Sequence, residues 1–309
     1  MATKEILKKI KSNTRLPSGA HRGESCVRKK VGLVLGSGGI RGLAHVGVLK
    51  VLLKNKIPID YIAGCSIGAW VGVHYALYKD LARLTDCTVG MKQEKLRSFF
   101  EPTMQGGFIK GEKLETLFNE WLGNKTFADT KIPVKLVATD LVAGKQVVLD
   151  KGSLAHAARV SMAATGAFSP IIEGDRILAD GGVCNPVPDD IVKAMGADII
   201  ISVNLDNFNE LDRFVIKEMK ELGVMNVASR SLEVMRHHLA VYSMKDSDVI
   251  IAPEVAKFSN WKEYFWNDAG DAIVKAGEVA TEKKIEKIKK LLTTPTLQSE
   301  PRPKRRGII

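Results

Sequence analysis

Ser66 stands at the centre of Gly64-Cys65-Ser66-Ile67-Gly68, between an apolar run at 59–63 and a helical segment that begins at Ala69. A serine between glycines at a strand–turn–helix junction has the form of a nucleophile. Such a turn is strained, and a Cβ at either glycine would crowd the serine. The hydroxyl then emerges at a helix N-terminus, where backbone N–H groups and the helix dipole favour developing negative charge. The same five residues also describe a tight turn whose serine merely caps a helix, so other segments must decide.

Gly36-Ser37-Gly38-Gly39-Ile40-Arg41-Gly42 joins the first strand-like run, 31–35, to the first helical one. A dinucleotide fingerprint counted from Gly36 needs glycine where Arg41 stands, and an acidic residue closing a second strand at the usual distance. A Walker loop needs Gly-Lys-Ser/Thr, and none is present. The other use of such a loop is an oxyanion hole, with the Gly38 and Gly39 amides at a helix N-terminus and Arg41 adding positive field. Loops after the first and second strands of a doubly wound sheet lie side by side at its carboxyl edge, which would bring those amides beside Ser66. One such donor is typically worth ~2.7–4 kcal/mol to catalysis.

A serine hydroxyl also needs a base. His237 and His238 fall inside a long helical stretch rather than on a loop after a strand. His45 and His74 sit in early helices, His156 in a mid-chain helix and His21 in an N-terminal linker. All six read as packed or solvent-facing. Asp180 follows the strand-like Arg176-Ile177-Leu178-Ala179 and precedes Gly181-Gly182, where the backbone can approach closely. Its carboxylate is placed to take the serine proton directly, although an ordinary Asp-Gly turn looks the same. Asp140, after Val137-Ala138-Thr139, is the competing acid and reads as structural.

In order and approximate spacing, these three segments resemble the patatin-like phospholipase family, nearest its bacterial branch related to neuropathy target esterase. The similarity runs through most of 31–205. It implies an α/β fold, a three-layer sandwich with a mostly parallel central sheet and a Ser–Asp dyad at the carboxyl edge. It further implies no catalytic histidine, no metal and no cofactor. Carried onto this chain, Ser66 is the nucleophile and Asp180 the base. Gly38, Gly39, Ile40 and Arg41 form the oxyanion loop, with Arg41 as the family's basic residue. Gly36, Gly42, Gly64, Gly68, Gly181 and Gly182 are the motif glycines. One departure is Thr165, where members often carry proline; it alters backbone stiffness and hence the shape of substrate admitted, and leaves the dyad intact. The implied activity is cleavage of carboxylic esters in phospholipids, lysophospholipids or related acyl esters through an acyl-Ser66 intermediate. A hydrolase of small soluble esters or thioesters, or a non-catalytic membrane-surface module, are the alternatives.

These residues need a framework. Apolar runs predict strands at 31–35, 59–63, 134–139, 146–149, 176–178, 198–203 and 249–252. Helical spacing predicts helices at 43–53, 66–78, 112–122, 153–164, 188–195, 211–244 and 268–292, with 80–130 mostly helical. Alternating β and α elements with short links predict a doubly wound sheet. Within 211–244, Phe214, Val215, Met219, Leu222 and Met225 are positioned either to line an acyl channel or to pack a core.

Composition narrows the class. A 309-residue chain with 45% hydrophobic and 26% charged residues can bury a large core. The expected organisation is a basic extension at 1–30 carrying a short helix at 4–11, one acyl hydrolase domain at 31–293, and a basic, disordered tail at 294–309. No run approaches the ~18 apolar residues of a membrane span, and residues 1–30 hold no secretory signal, so the expected location is cytoplasmic, peripheral to a membrane. Cys26, Cys65, Cys87 and Cys184 are scattered and read as reduced thiols. The net charge of +11 is concentrated at the ends: 1–30 carries +7 and 281–309 carries +6, leaving −2 for 31–280. A near-neutral body excludes a basic nucleic-acid-binding face. The basic ends suit either solvation or contact with anionic membrane surfaces. Oligomeric state has no signature in these residues.

Overall fold

A computed structural model describes residues 28–206, 223–258, 264–265 and 269–294. The expected helix at 4–11, the tail at 295–309 and Phe214, Val215, Met219 and Leu222 lie outside these residues, as does the side chain of Met225.

The first strand shows how the sheet is built. β1 (Val31–Leu35) is buried along its whole length, and its residues divide by the period of two that a pleated strand imposes. Val31, Leu33 and Leu35 enter one core, and Val34 enters another on the opposite face. β2 (Tyr61–Cys65) and β9 (Ile199–Val203) flank β1 in parallel, followed outward by β4 (Val134–Asp140) beside β2 and β10 (Val249–Ile251) beside β9. Three antiparallel strands complete the β4 end: β5 (Lys145–Leu149), β8 (Arg176–Asp180) and β7 (Ile171–Glu173). The main sheet is therefore mixed and mostly parallel, in the order β10-β9-β1-β2-β4-β8-β7 with β5 also on β4.

Helices cover both faces. The larger core is roofed by α1 (Ala44–Lys54), α2 (Ile67–Tyr78), α5 (Glu112–Leu122), α6 (Leu154–Ser161), α9 (Ala269–Glu282) and α10 (Ile285–Thr293). The smaller core receives Ile191 and Val192 of α7 (Asp189–Ala194) and Ala240 of α8 (Val224–Ser243). α3 (Leu81–Thr88) and α4 (Lys92–Phe99) lie between α2 and α5 in the chain. α1 and α9 touch through glycines. A Cβ at Gly47 would fall 2.0 Å from the Val274 carbonyl oxygen, and one at Gly277 would fall 2.1 Å from that of Ala44.

Several expected boundaries move. The second strand begins at Tyr61 rather than residue 59, because the Asp60 carboxylate is occupied in accepting from the Val31 amide (2.7 Å) and the Arg28 guanidinium (2.6 and 2.7 Å). The helix expected at 153–164 stops at Ser161, and the Ala163 carbonyl instead accepts the Asp180 amide at 3.0 Å. The stretch expected as one helix at 268–292 is broken between α9 and α10. Short strands at β3 (Gly107–Ile109) and β6 (Gly166–Phe168), which pair in parallel, were not expected from apolar periodicity, nor was β7.

A charged cluster ties the outer layer together. His156 of α6 sits between Glu115 of α5 (3.0 Å) and Glu173 of β7 (2.9 Å). The Glu115 bond first, with Glu173 in support and against burial, raises the imidazole from 6.5 to about 9. Protonated His156 thus stabilises the fold fully below pH 6.5, and that contribution disappears as pH rises through about 9. The expected result is that the melting-temperature advantage of the wild type over His156→Gln shrinks between those pH values. An advantage constant with pH would show that the cluster acts through packing alone.

Candidate active site

Ser66 occupies a backbone conformation of φ 55° and ψ −124°, which a non-glycine residue holds only when its surroundings impose it. The flanking glycines provide those surroundings. A Cβ at Gly64 would lie 2.6 Å from the Gly68 carbonyl oxygen, and one at Gly68 would lie 2.1 Å from that of Leu35. The crowding these glycines avoid is thus with backbone rather than with the serine itself. The Ser66 amide donates to Ser161 Oγ (3.0 Å), whose hydroxyl in turn donates to the Val137 carbonyl (2.7 Å). Ser161 is wholly buried and pins the turn to β4.

Strand register brings the acid to the serine. On one edge of β4, residues up to Val137 pair with β2, whose last partner is Cys65. The next β4 residue, Ala138, pairs with Asp180, the last residue of antiparallel β8. β5 occupies the other edge across both stretches. Two strands running in opposite directions therefore meet end to end, one delivering Ser66 and the other Asp180. Ser66 Oγ donates to Asp180 Oδ2 at 2.6 Å, while Asp180 Oδ1 accepts the Gly182 amide at 2.7 Å. Thr139 Oγ1 donates to the Asp180 carbonyl at 2.9 Å and fixes the strand end. Burial pushes the Asp180 carboxyl above the ordinary aspartate range, against the lowering pull of the Ser66 hydroxyl and Gly182 amide. Each residue of the pair retains 8% exposure, so the site is recessed yet reachable.

The glycine loop lies alongside. Its Gly36, Ser37 and Arg41 amides donate to Val203, Pro186 and Gly38 carbonyls. Among the described residues, the Gly38, Gly39 and Ile40 amides have no acceptor. Gly39 takes φ +56° and has open space where a Cβ would stand. Arg41 differs from its neighbours: its amide is engaged in the turn, and its guanidinium donates to the Gly38 carbonyl (3.1 Å) and to Asp206 (2.7 Å), so it braces the loop. Gly42 abuts Ile67, linking the loop to α2, and Gly181 abuts the Val137 carbonyl beneath Asp180.

An apolar cleft begins at Gly39, Ile40 and Ile67 and runs to Trp70 and Phe118, whose rings stack at 4.3 Å. Its lining is apolar except near Lys95, whose ammonium donates to the Thr88 carbonyl (2.8 Å) and the Tyr264 hydroxyl. Burial lowers that lysine to about 7.

The other candidates are elsewhere. Asp140 caps the β4–β5 turn by accepting the Val142 and Ala143 amides at 2.9 and 3.3 Å. His45 is bonded to the Gly36 carbonyl at 2.9 Å, and burial lowers both it and His74 to about 4. His237 meets the Asp206 carbonyl. No described histidine bonds Ser66. Among the described residues, no group of three His, Cys, Asp or Glu side chains is disposed to hold a metal ion. Cys65, Cys87 and Cys184 are free thiols.

A family profile described as "Patatin-like phospholipase" matches residues 33–192. An uncharacterized NTE family protein of Mycobacterium tuberculosis is 36% identical over 186 residues, covering 60% of this chain and 51% of its own. Patatin-like phospholipase domain-containing protein 6 of Homo sapiens is 31% identical over 189 residues, covering 59% of this chain and 14% of its own. The chain thus spans about half the length of the mycobacterial relative and a small part of the human one. Among solved structures, VipD from Legionella pneumophila superposes with a TM-score of 0.51 at 14% identity, over 84% of this chain and 67% of that one, a likeness of fold.

The position of Asp180 carries a thermodynamic consequence. Its folded-state affinity for a proton is raised, so ionised Asp180 destabilises the fold, and the penalty is complete once pH exceeds the folded value. Below the value of an unfolded aspartate the penalty vanishes. Asp180→Asn is expected to melt at or above the wild-type temperature at pH 7, with the advantage disappearing in acid. A clear loss of stability at pH 7 would mean that the ionised carboxylate holds the strand end together.

Proposed function

Because the chain belongs to the patatin-like phospholipase family, we propose that it is a serine lipid acyl hydrolase with Ser66 as nucleophile and Asp180 as base. The single observation that supports this most is the 2.6 Å bond from Ser66 Oγ to Asp180 Oδ2, near amides that have no acceptor among the described residues. As Oγ attacks an acyl carbonyl carbon, its proton passes to Asp180, whose raised proton affinity makes it the stronger base. The carbonyl oxygen becomes an oxyanion and accepts from the Gly38, Gly39 and Ile40 amides. Collapse of the tetrahedral species breaks the ester C–O bond, and Asp180 returns the proton to the leaving alkoxide. A water molecule, deprotonated by Asp180, then attacks the acyl-Ser66 carbonyl; the C–Oγ bond breaks, the fatty acid leaves, and Asp180 returns the proton to Ser66 Oγ.

The cavity from Ile67 to Phe118 suits an acyl chain, since its walls are apolar and it starts one residue from the nucleophile. That supports lipid esters, phospholipids and lysophospholipids among them, over small soluble esters. Among the described residues, no helix is long and apolar enough to cross a membrane. The basic segments 1–30 and 281–309 supply attraction to an anionic bilayer, at about 1 kcal/mol per residue near the surface.

A fluorophosphonate probe is expected to label the wild type and not Ser66→Ala. Asp180→Asn is expected to lose on the order of 10³-fold or more in kcat; full esterase activity in that variant would refute the dyad. Across p-nitrophenyl esters, activity is expected to rise from acetyl toward palmitoyl, and rates flat across that range would sink the lipid reading. Leu114→Phe, which narrows the cavity, is expected to shift the preferred chain toward shorter acyl groups.

A further inference from the structure

Next to the dyad lies a charge cluster that the proposed chemistry does not use. Asp206 is 2% exposed, and one of its oxygens, Oδ1, accepts from two guanidiniums: Arg41 Nη2 at 2.7 Å and Arg236 Nε at 3.0 Å. Its other oxygen faces the Ser37 hydroxyl at 3.3 Å, and its amide donates to Asn204 Oδ1 at 2.9 Å. Two cations thus share a single carboxylate. Glu233, also nearby, is bonded to Arg230 at 2.9 Å. Among the described residues, Arg41, Arg230 and Arg236 face Asp206, Glu233 and the adjoining Asp180.

Of the two guanidiniums on Asp206, Arg236 is the one that reaches the surface. Its side chain is 34% exposed, against 13% for Arg41. Its Nε is spent on Asp206, while its terminal nitrogens have no partner among the described residues. The cluster also abuts the reacting groups. Ser37 Oγ stands 3.3 Å from where a Gly182 Cβ would be, and the Gly182 amide is the one on Asp180. Leu205, beside Asp206, packs against Gly38 of the loop. The Arg236 charge is felt at both Asp180 and Cys65.

We propose that Arg236, held in place by Asp206, seats the phosphate of an acyl lipid head group and so selects phosphate-bearing lipids over neutral glycerides. The inference rests on the hydrolase reading above and names a residue beyond the segment that matches the family profile. In a glycerophospholipid the phosphate is a few bonds from the ester carbonyl, so a cation beside the dyad meets it while the acyl chain fills the cavity. A guanidinium with free terminal N–H groups is suited to a phosphate oxygen pair. Bracing α8 against Asp206 would by itself require only the Nε bond.

The test compares the lysolipid 1-palmitoyl-sn-glycerol 3-phosphate with 1-palmitoylglycerol, which share the acyl chain and differ in the phosphate. In Arg236→Met, the ratio of kcat/KM for the first over the second is expected to fall at least about tenfold, the loss of one charge-assisted contact. Arg236→Lys is expected to recover part of the ratio. An unchanged ratio, even with lower absolute rates, would assign Arg236 to bracing and overturn the proposal. Binding to Ser66→Ala protein, with and without Arg236→Met, reads the seat without turnover. A preference for the lysolipid that depends on Arg236 would uphold the seat even if no ester were cleaved, in which case the hydrolase reading alone would fall. sn-Glycerol 3-phosphate bound as tightly as the lysolipid would assign the site to free phosphate esters and overturn the lipid assignment.

Discussion

The end-to-end meeting of β2 and β8 along one edge of β4 is the constraint on which the rest depends. One strand arrives parallel to β4 and the other antiparallel, and they stop at neighbouring positions, opposite Val137 and Ala138. Backbone pairing sets where the two strands end, and the strained Ser66 turn completes the approach of hydroxyl to carboxylate. A ladder with a rise of about 3.3 Å per residue leaves no slack for a slipped register, which would turn either side chain to the opposite face. Short contacts support the arrangement: Ser161 holds the turn, Thr139 holds the end of β8, and Gly182 orients the acid.

The same arrangement has costs. Ser66 is held at a positive φ, and Asp180 is charged where burial disfavours charge. Close backbone contacts at Gly64 and Gly68 impose the first, and the Ser66 hydroxyl and Gly182 amide partly offset the second. Both lie where neighbouring backbone packs closely against the turn, which is where local strain is sustainable.

Ser66, Asp180 and the glycine loop were legible in the sequence because each is a local signature, a reactive or small residue at the junction of a strand and the next element. The central strands were legible for a related reason: burial on both faces demands continuous apolar runs, as in Val31–Leu35. What sequence reading missed depends on partners far along the chain. Ser161 is separated from Ser66 by 95 residues, and Arg236 from Asp206 by 30. Neither serine nor arginine in a helix announces such a partner. The strands at 107–109, 166–168 and 171–173 span three residues each, too few for alternation to register. Asp60, read as part of a strand, is diverted by its own side-chain bonds to Val31 and Arg28.

The glycine contact between α1 and α9 bears on how much of the chain an active unit requires. α1 follows directly from the loop that offers the free amides, and its first residue, Ala44, is the one whose carbonyl lies against Gly277. The family match ends at 192, some way before α9. A fragment cut to the recognisable segment would keep Ser66 and Asp180, yet strip the outer support from the helix that follows the glycine loop. The smallest piece able to hold this arrangement together is therefore longer than the piece that similarity picks out.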